Sequence, residues 1–240
     1  MAMPRPPAPA RRARKITKAK RRPARQAWPP PPSRIAAILA ELDRLYPGAE
    51  CALVRDDPFQ LLCATILSAQ CTDERVNMVT PALFARFPTP ATMAKASASV
   101  LEGIIRSTGF FRNKAKNLIG AARVLDEKWS GEVPRSMAQL LELPGVARKT
   151  ANVVLGTAFG IAEGVVVDTH VTRLAQRLGL TRALAPEHIE RDLMEVIPRP
   201  RWILFSHQII WHGRRVCRAR KPDCDSCALV PHCPSAFREV

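Results

Sequence analysis

Hydrophobic side chains recur along most of the chain at intervals of three and four residues, which is the period of an amphipathic α-helix. The first such run occupies residues 35–45, with Ser33 as its expected N-cap. Asp57 followed by Pro58 predicts a second helix start, because aspartate caps well and proline suits the first helical position. Only residues 165–167 have a β-like composition, and they are too few for a sheet. The pattern therefore predicts an all-α fold.

The charge is strongly basic and unevenly distributed. The net charge is +16, and residues 1–32 hold ten of the 37 basic residues and nine of the 22 prolines, with no acidic residue. Such a segment has too few large apolar side chains to offset the entropy of ordering, so we expect a disordered tail. It lacks the apolar region of a secretory signal, whereas an organelle transit peptide stays open.

A basic chain of this kind indicates a polyanionic partner, either nucleic acid or an anionic membrane surface. The most apolar stretch, residues 151–167, is interrupted by Asn152 and Glu163 and is too short to span a bilayer. We therefore expect no membrane-spanning segment.

The seven cysteines fall into two groups. Cys51, Cys63 and Cys71 lie in or beside apolar helical patterns, where a small core residue is the expected role. The other four share a 17-residue segment with the spacing C-x6-C-x2-C-x5-C, which suits Zn²⁺ or a 4Fe–4S cluster. A single close pair argues against zinc, and the lack of a secretion signal argues against disulfides. These four are Cys217, Cys224, Cys227 and Cys233.

A Pro-Gly turn at 144–145 joins two helical patterns, the second starting around Ala147 or Arg148. Backbone N–H groups at a helix start are unpaired and lie at the positive end of the dipole, so they can hold a phosphate. An ordinary helix–turn–helix connection is the alternative.

The segment LPGVARKTAN at 143–152 resembles the helix–hairpin–helix of the endonuclease III family, LPGVGRKTAN. Three further motifs resemble that family and occur in its order: ILSAQCTD at 66–73, TGFFRNKAKNL at 108–118 and VDTHV at 167–171. The cysteine spacing completes the set. The resemblance covers residues 33–235.

The resemblance implies two helical domains with DNA in the cleft between them. Residues 53–161 are expected to form the domain with the hairpin. Residues 33–52 and 162–240 are expected to form a second domain, whose C-terminal loop carries a 4Fe–4S cluster. The implied activity is that of a bifunctional DNA glycosylase and AP lyase, which removes oxidised or ring-saturated pyrimidines from double-stranded DNA and cleaves at abasic sites. We expect a monomer in the bacterial cytoplasm at the nucleoid, with organelle or nucleus left open by the basic tail.

By resemblance, Lys149 is the nucleophile and Asp168 faces it across the cleft. The reaction needs an amine, because only an amine forms an iminium with the sugar C1′. The amine must be neutral to attack, and a buried site and the nearby Arg148 cation would both favour the neutral form. Asp168 is expected to accept a proton or to stabilise positive charge, and a helix cap for the segment from Thr169 is the alternative.

The remaining expected contacts are to DNA. Gln70 resembles the family residue that enters the duplex, and Phe110 resembles the wedge on the opposite side. Core packing is the alternative for Phe110, because Phe111 is adjacent. Ala147 stands where the family usually has a second glycine, so we expect crowding at the phosphate or backbone strain. The hairpin residues expected to contact DNA are Gly145, Ala147, Arg148 and Thr150.

Other functions stay open at this point. A monofunctional adenine or mismatch glycosylase is disfavoured by Lys149. A non-catalytic iron–sulfur DNA-binding protein is disfavoured by the presence of both Lys149 and Asp168. A zinc-dependent transcription factor is a weaker alternative. The cluster loop is expected to hold the basic residues between Arg214 and Lys221 against the DNA backbone.

Overall fold

The computed structural model describes residues 28–238, which form eleven α-helices and short 3-10 turns, with no β-strand within that range. The predicted all-α class is confirmed. Of the expected tail, residues 1–27 lie outside the described part of the chain. The helices are α1 Pro32–Leu45, α2 Pro58–Leu67, α3 Asp73–Arg86, α4 Pro90–Ala94, α5 Ala98–Ile105, α6 Phe111–Trp129, α7 Met137–Leu141, α8 Arg148–Phe159, α9 Thr169–Arg177, α10 Pro186–Val196 and α11 Trp202–Arg215.

Local chemistry explains several helix starts. The Asp57 side chain accepts a hydrogen bond from the Gln60 N–H at 2.8 Å, and Pro58 is the first residue of α2. The expected Ser33 cap is wrong, because α1 begins at Pro32 with Pro31 as its N-cap. Proline at the first helical position already has a helical φ and no N–H to satisfy, so the helix starts two residues earlier than a Ser33 cap would place it.

Two separate hydrophobic cores hold the helices together. The first contains buried residues between Leu53 and Leu155, and it packs together the helices from α2 through α8. The second combines buried residues of α1 with residues between Val165 and Leu229. The expected domain boundaries stay a prediction, although this division into two cores is compatible with them.

Helix α1 is attached to the second core by polar contacts as well as apolar ones. Asp43 forms an ion pair with Arg201 and accepts a hydrogen bond from the Gln208 amide at 2.9 Å. Tyr46 shares a 3.0 Å hydrogen bond with the buried His212. Among residues 28–238 no helix has both the length and the apolar character required to cross a membrane.

Candidate active site

Two adjoining cavities, of about 470 and 80 Å³, lie where α8, α9 and α11 approach the loop between α2 and α3. Lys149 and Asp168 line both of them, so the structure brings the two residues expected to carry the chemistry to one cleft. Gln70 lines the larger cavity. Neither cavity is lined by Phe110 or by the four clustered cysteines. Both cavities are also lined by Ser68, Asp73 and Arg214.

Lys149 is the second residue of α8 and is exposed at the mouth of this cleft. Burial, one of the two factors that would favour a neutral amine, is therefore not supplied by the protein alone at this position. The N-cap residue Ala147 has no side-chain oxygen and provides no capping hydrogen bond. Within residues 28–238, the backbone N–H groups of Arg148, Lys149 and Thr150 have no hydrogen-bond partner. An uncapped helix start of this kind can bind an anion.

Gly145 has the backbone conformation that the hairpin turn requires. Its φ is +80°, a value that favours glycine, and a Cβ atom there would lie 2.7–2.8 Å from the side chain of Asn117. Ala147, in contrast, has φ −95° and ψ 171°, which any residue adopts. The expected strain at Ala147 is therefore wrong, whereas crowding of a bound phosphate stays a prediction.

We expect Gly145→Ala to lower the free energy of unfolding by about 1–3 kcal/mol, because both the backbone and the Asn117 contact oppose a Cβ atom. Chemical denaturation measures this change, and duplex affinity should fall with it. Gly160→Ala is the matched control: Gly160 has φ +67°, but a Cβ atom added there would meet nothing within 4 Å, so this variant isolates the backbone contribution. Equal losses in the two variants would contradict a role for the Asn117 contact.

Asp168 is the N-cap of α9, and its Oδ1 accepts a hydrogen bond from the Val171 N–H at 2.8 Å. The capping alternative raised from the sequence is therefore correct. Within the described residues Oδ2 has no hydrogen-bond partner, so capping leaves one carboxylate oxygen available to the cleft. The neighbouring His170 contacts Arg173, and burial lowers the pKa of this imidazole although the charge of Asp168 acts in the opposite direction.

Two ion pairs beside the cleft join the helices of the two cores. Arg148 donates to the buried Glu190 at 2.7 Å, and Glu190 also accepts from Asn152 at 2.8 Å. This hydrogen bond raises the pKa of the Arg148 guanidinium above its ordinary value. Arg214 donates to Asp73 at 2.6 Å. Sequence reasoning missed these pairs because they join residues that are far apart along the chain.

Gln70 and Phe110, the two expected duplex-entering residues, both lie in loops with left-handed backbone, with φ of 52° and 48°. Both side chains are exposed, and Phe110 retains 67% of its surface. Phe111 packs against the first core instead. The alternative of core packing is therefore wrong for Phe110.

The four clustered cysteines line a single cavity at the end of the second core. The Cys217 thiol lies 3.3 Å from an Arg177 guanidinium nitrogen, and the Cys227 thiol lies 3.4 Å from the His212 ring. Among residues 28–238, no group of three His, Cys, Asp or Glu side chains lies close enough together to hold a single metal ion. Four thiols with nitrogen donors beside them are a donor set that fits an iron–sulfur cluster.

Two of the basic residues expected near the DNA backbone, both at the end of α11, have partners within the protein. Arg214 pairs with Asp73, and the Arg215 guanidinium lies 4.4 Å from the centre of the Trp211 ring. These two cations are therefore engaged within the protein. Arg220 and Lys221 are exposed and remain candidates for phosphate contact.

A family model described as HhH-GPD superfamily base excision DNA repair protein matches residues 63–199. The match spans more than half of the chain and contains the hairpin, Lys149 and Asp168. The fold and the cleft are therefore those of a base excision DNA repair protein of the HhH-GPD superfamily.

Comparison with individual proteins identifies a narrower family within this superfamily. The endonuclease III of Synechocystis sp. is 62% identical over 203 residues, which is 85% of this chain and 93% of the relative. The Escherichia coli K12 endonuclease III is 41% identical over 82% of this chain and 92% of the relative. A solved structure of a trapped endonuclease III–DNA covalent intermediate matches with a TM-score of 0.82 and 43% identity, over 86% of this chain and 97% of that chain. The chain belongs to the endonuclease III family.

Proposed function

We propose that this protein is a bifunctional DNA glycosylase and AP lyase of base excision repair, acting on oxidised or ring-saturated pyrimidines and on abasic sites in double-stranded DNA. The observation that carries the proposal is the cleft, in which an exposed lysine at an uncapped helix start and a carboxylate line the same cavity. One of the solved relatives that match over most of their length is described as a trapped covalent protein–DNA intermediate, as expected for chemistry that passes through a protein–DNA bond.

Lys149 supplies the nucleophile in this proposal. Its neutral Nζ attacks C1′ of the deoxyribose, the bond from C1′ to the base nitrogen breaks, and the base departs with the electron pair. Loss of a proton from nitrogen opens the sugar ring and gives a Schiff base. The iminium acidifies the C2′ hydrogen, and its removal expels the 3′ phosphate by β-elimination. Water then releases the sugar fragment and restores the amine.

Asp168 assists from the other side of the cleft. Its Oδ1 is committed to the cap of α9, which fixes the carboxylate, while Oδ2 has no hydrogen-bond partner among the described residues. A fixed carboxylate stabilises the positive charge that develops at C1′ as the base leaves, and it can also accept the proton that Lys149 must lose.

The helix start and the two loops bind the substrate in this proposal. The N–H groups at Arg148, Lys149 and Thr150 hold a phosphate next to the attacked sugar. Gln70 and Phe110 enter the duplex from the two sides and occupy the space of the extruded nucleotide, which the enzyme must remove from the stack to reach C1′. We propose that the protein acts as a monomer on the bacterial chromosome, and its similar endonuclease III proteins are bacterial.

Borohydride trapping tests the activity directly. The protein is mixed with a duplex that contains an abasic site, and borohydride reduces the iminium to a stable amine. We expect a covalent protein–DNA band, and parallel incubation without borohydride should give strand cleavage on the 3′ side of the site. Absence of both products would contradict the lyase. Base release from a separate duplex with a damaged pyrimidine, without a covalent product on either duplex, would favour a monofunctional glycosylase.

The four clustered cysteines are proposed to hold a 4Fe–4S cluster. When bound, such a cluster cross-links the C-terminal loop and orders it against α9 and α11. Arg177 and His212 then lie beside two of the sulfur ligands, where N–H donors stabilise thiolate charge.

Purified protein is expected to be yellow-brown and to contain about four iron atoms per chain. Elemental analysis and the visible absorption spectrum measure this. Cys224→Ser should lose the iron, whereas Cys51→Ser should retain it, because Cys51 lies outside the cysteine cavity. Zinc without iron in the wild-type protein would reject the cluster.

A further inference from the structure

Lys114 is a buried cation that the proposed chemistry does not use. It lies on α6, and only 4% of its surface is exposed. Among residues 28–238, no carboxylate lies within ion-pairing distance of its ammonium group. A buried charge is strongly unfavourable unless it is hydrogen-bonded, so its partners indicate why it is there.

The ammonium group joins two backbone carbonyls. Nζ donates to the Leu67 oxygen at 2.8 Å and to the Thr108 oxygen at 2.7 Å. Leu67 is the last residue of α2, and Thr108 is the last residue of the 3-10 turn at Arg106–Thr108. Carbonyl groups at helix ends lack intrahelical partners and carry the negative end of the dipole, so a cation suits them. Burial lowers the pKa of Lys114 from its ordinary value.

These two carbonyls lie at the bases of the two loops that are proposed to enter DNA. Gln70 follows Leu67 by three residues, and Phe110 follows Thr108 by two. The backbone N–H of Lys114 also donates to the Phe110 carbonyl at 3.1 Å. One residue thus contacts the bases of both loops.

We propose that Lys114 is a positioning residue that fixes the separation between the Gln70 loop and the Phe110 loop, so that both enter the duplex together during nucleotide extrusion. The proposal rests on the proposed function, which assigns both loops to the duplex. The physical reason is preorganisation: loops already held at the right separation need no ordering when they meet the DNA.

This role predicts an effect that depends on base pairing. Extrusion of a paired nucleotide breaks a base pair and its stacking, so its rate should depend more strongly on both loops than extrusion of an unpaired nucleotide does. A lesion opposite an abasic analogue has no base pair to break and needs them less. A lysine that only stabilised the fold would affect both substrates by the same factor.

The test measures single-turnover removal of 5,6-dihydrothymine from two duplexes, one with adenine opposite the lesion and one with a tetrahydrofuran abasic analogue. We expect Lys114→Met to slow removal from the paired duplex by about tenfold or more. A misplacement of about 1 Å can slow a reaction by roughly 10²-fold, so a change of this size is reasonable for displaced loops. Removal from the unpaired duplex should slow by a much smaller factor. The control Lys116→Met, an exposed lysine on the same helix, should change neither rate. Equal slowing on both duplexes would overturn the proposal.

A double-mutant cycle with Phe110→Ala provides the second measurement. If Lys114 acts through the Phe110 loop, Lys114→Met should slow the paired reaction less in the Phe110→Ala background than in the wild type. Fully additive effects would overturn the proposal. If Lys114→Met does not fold, Lys114→Gln replaces it in both experiments, because its amide keeps a neutral donor for the carbonyls.

Borohydride trapping of the wild-type protein separates the two proposals. Trapping on a preformed abasic site together with an unchanged ratio of paired to unpaired rates would reject only the role of Lys114. Absence of wild-type trapping would reject the proposed function itself.

Discussion

Lys149→Gln protein is expected to give no covalent band with an abasic duplex in the presence of borohydride and no strand cleavage in its absence. An amide nitrogen is not nucleophilic and cannot form an iminium with C1′, so both products require the lysine. Duplex affinity should remain nearly intact, because the phosphate is proposed to bind backbone N–H groups that glutamine retains. Gel electrophoresis measures both products, and fluorescence anisotropy measures affinity.

The matched control is Lys116→Gln, which removes the same charge from an exposed position on α6. It should trap and cleave like the wild type. Normal trapping by Lys149→Gln would contradict the assignment of the nucleophile and would point to another amine. Loss of trapping together with loss of duplex binding would mean that Lys149 contributes mainly to substrate affinity.

Asp168→Asn is expected to slow base removal by about 10²-fold or more, the scale of a lost acid–base group. The structure makes this substitution informative, because Oδ1 of Asp168 caps α9 and an asparagine side chain caps equally well. The cap should survive, so thermal unfolding should change little. The loss in single-turnover rate therefore reports the carboxylate charge at the cleft.

Asp168→Ala separates the two roles. Alanine removes the charge and the cap together, so its rate should resemble that of Asp168→Asn, while its unfolding free energy falls by about a further 1 kcal/mol. Unchanged turnover in Asp168→Asn would show that the residue serves only as a cap.

Features fixed by local chemistry could be predicted from the sequence. The starts of α2 and α10 depend on Pro58 and Pro186, and the start of α8 follows from the Pro-Gly turn. The endonuclease III family was identified from motifs that are each continuous in sequence. The Ser33 cap was wrong because a proline run before it offered an earlier start.

Features that depend on distant partners could not be predicted. Lys114 is one of three lysines on α6, and only the folded chain reveals that its ammonium group contacts carbonyls from two other elements. The pairing of Arg148 with Glu190 joins residues 42 positions apart. The negative φ of Ala147 depends on the backbone path of the whole turn. The replacement of the usual glycine by alanine does not by itself reveal that φ.

The split second core has a consequence for biosynthesis. Helix α1 leaves the ribosome first, yet the residues that cover its apolar face begin at Val165. At about 5–20 residues per second, that face waits on the order of ten seconds for its partners, while the first core can already condense from a continuous stretch of chain. The nascent protein therefore exposes Ile35, Ile38 and Leu42 throughout most of its synthesis. This apolar stripe therefore stays open to non-native contacts until α11 is synthesised and the second core closes over it.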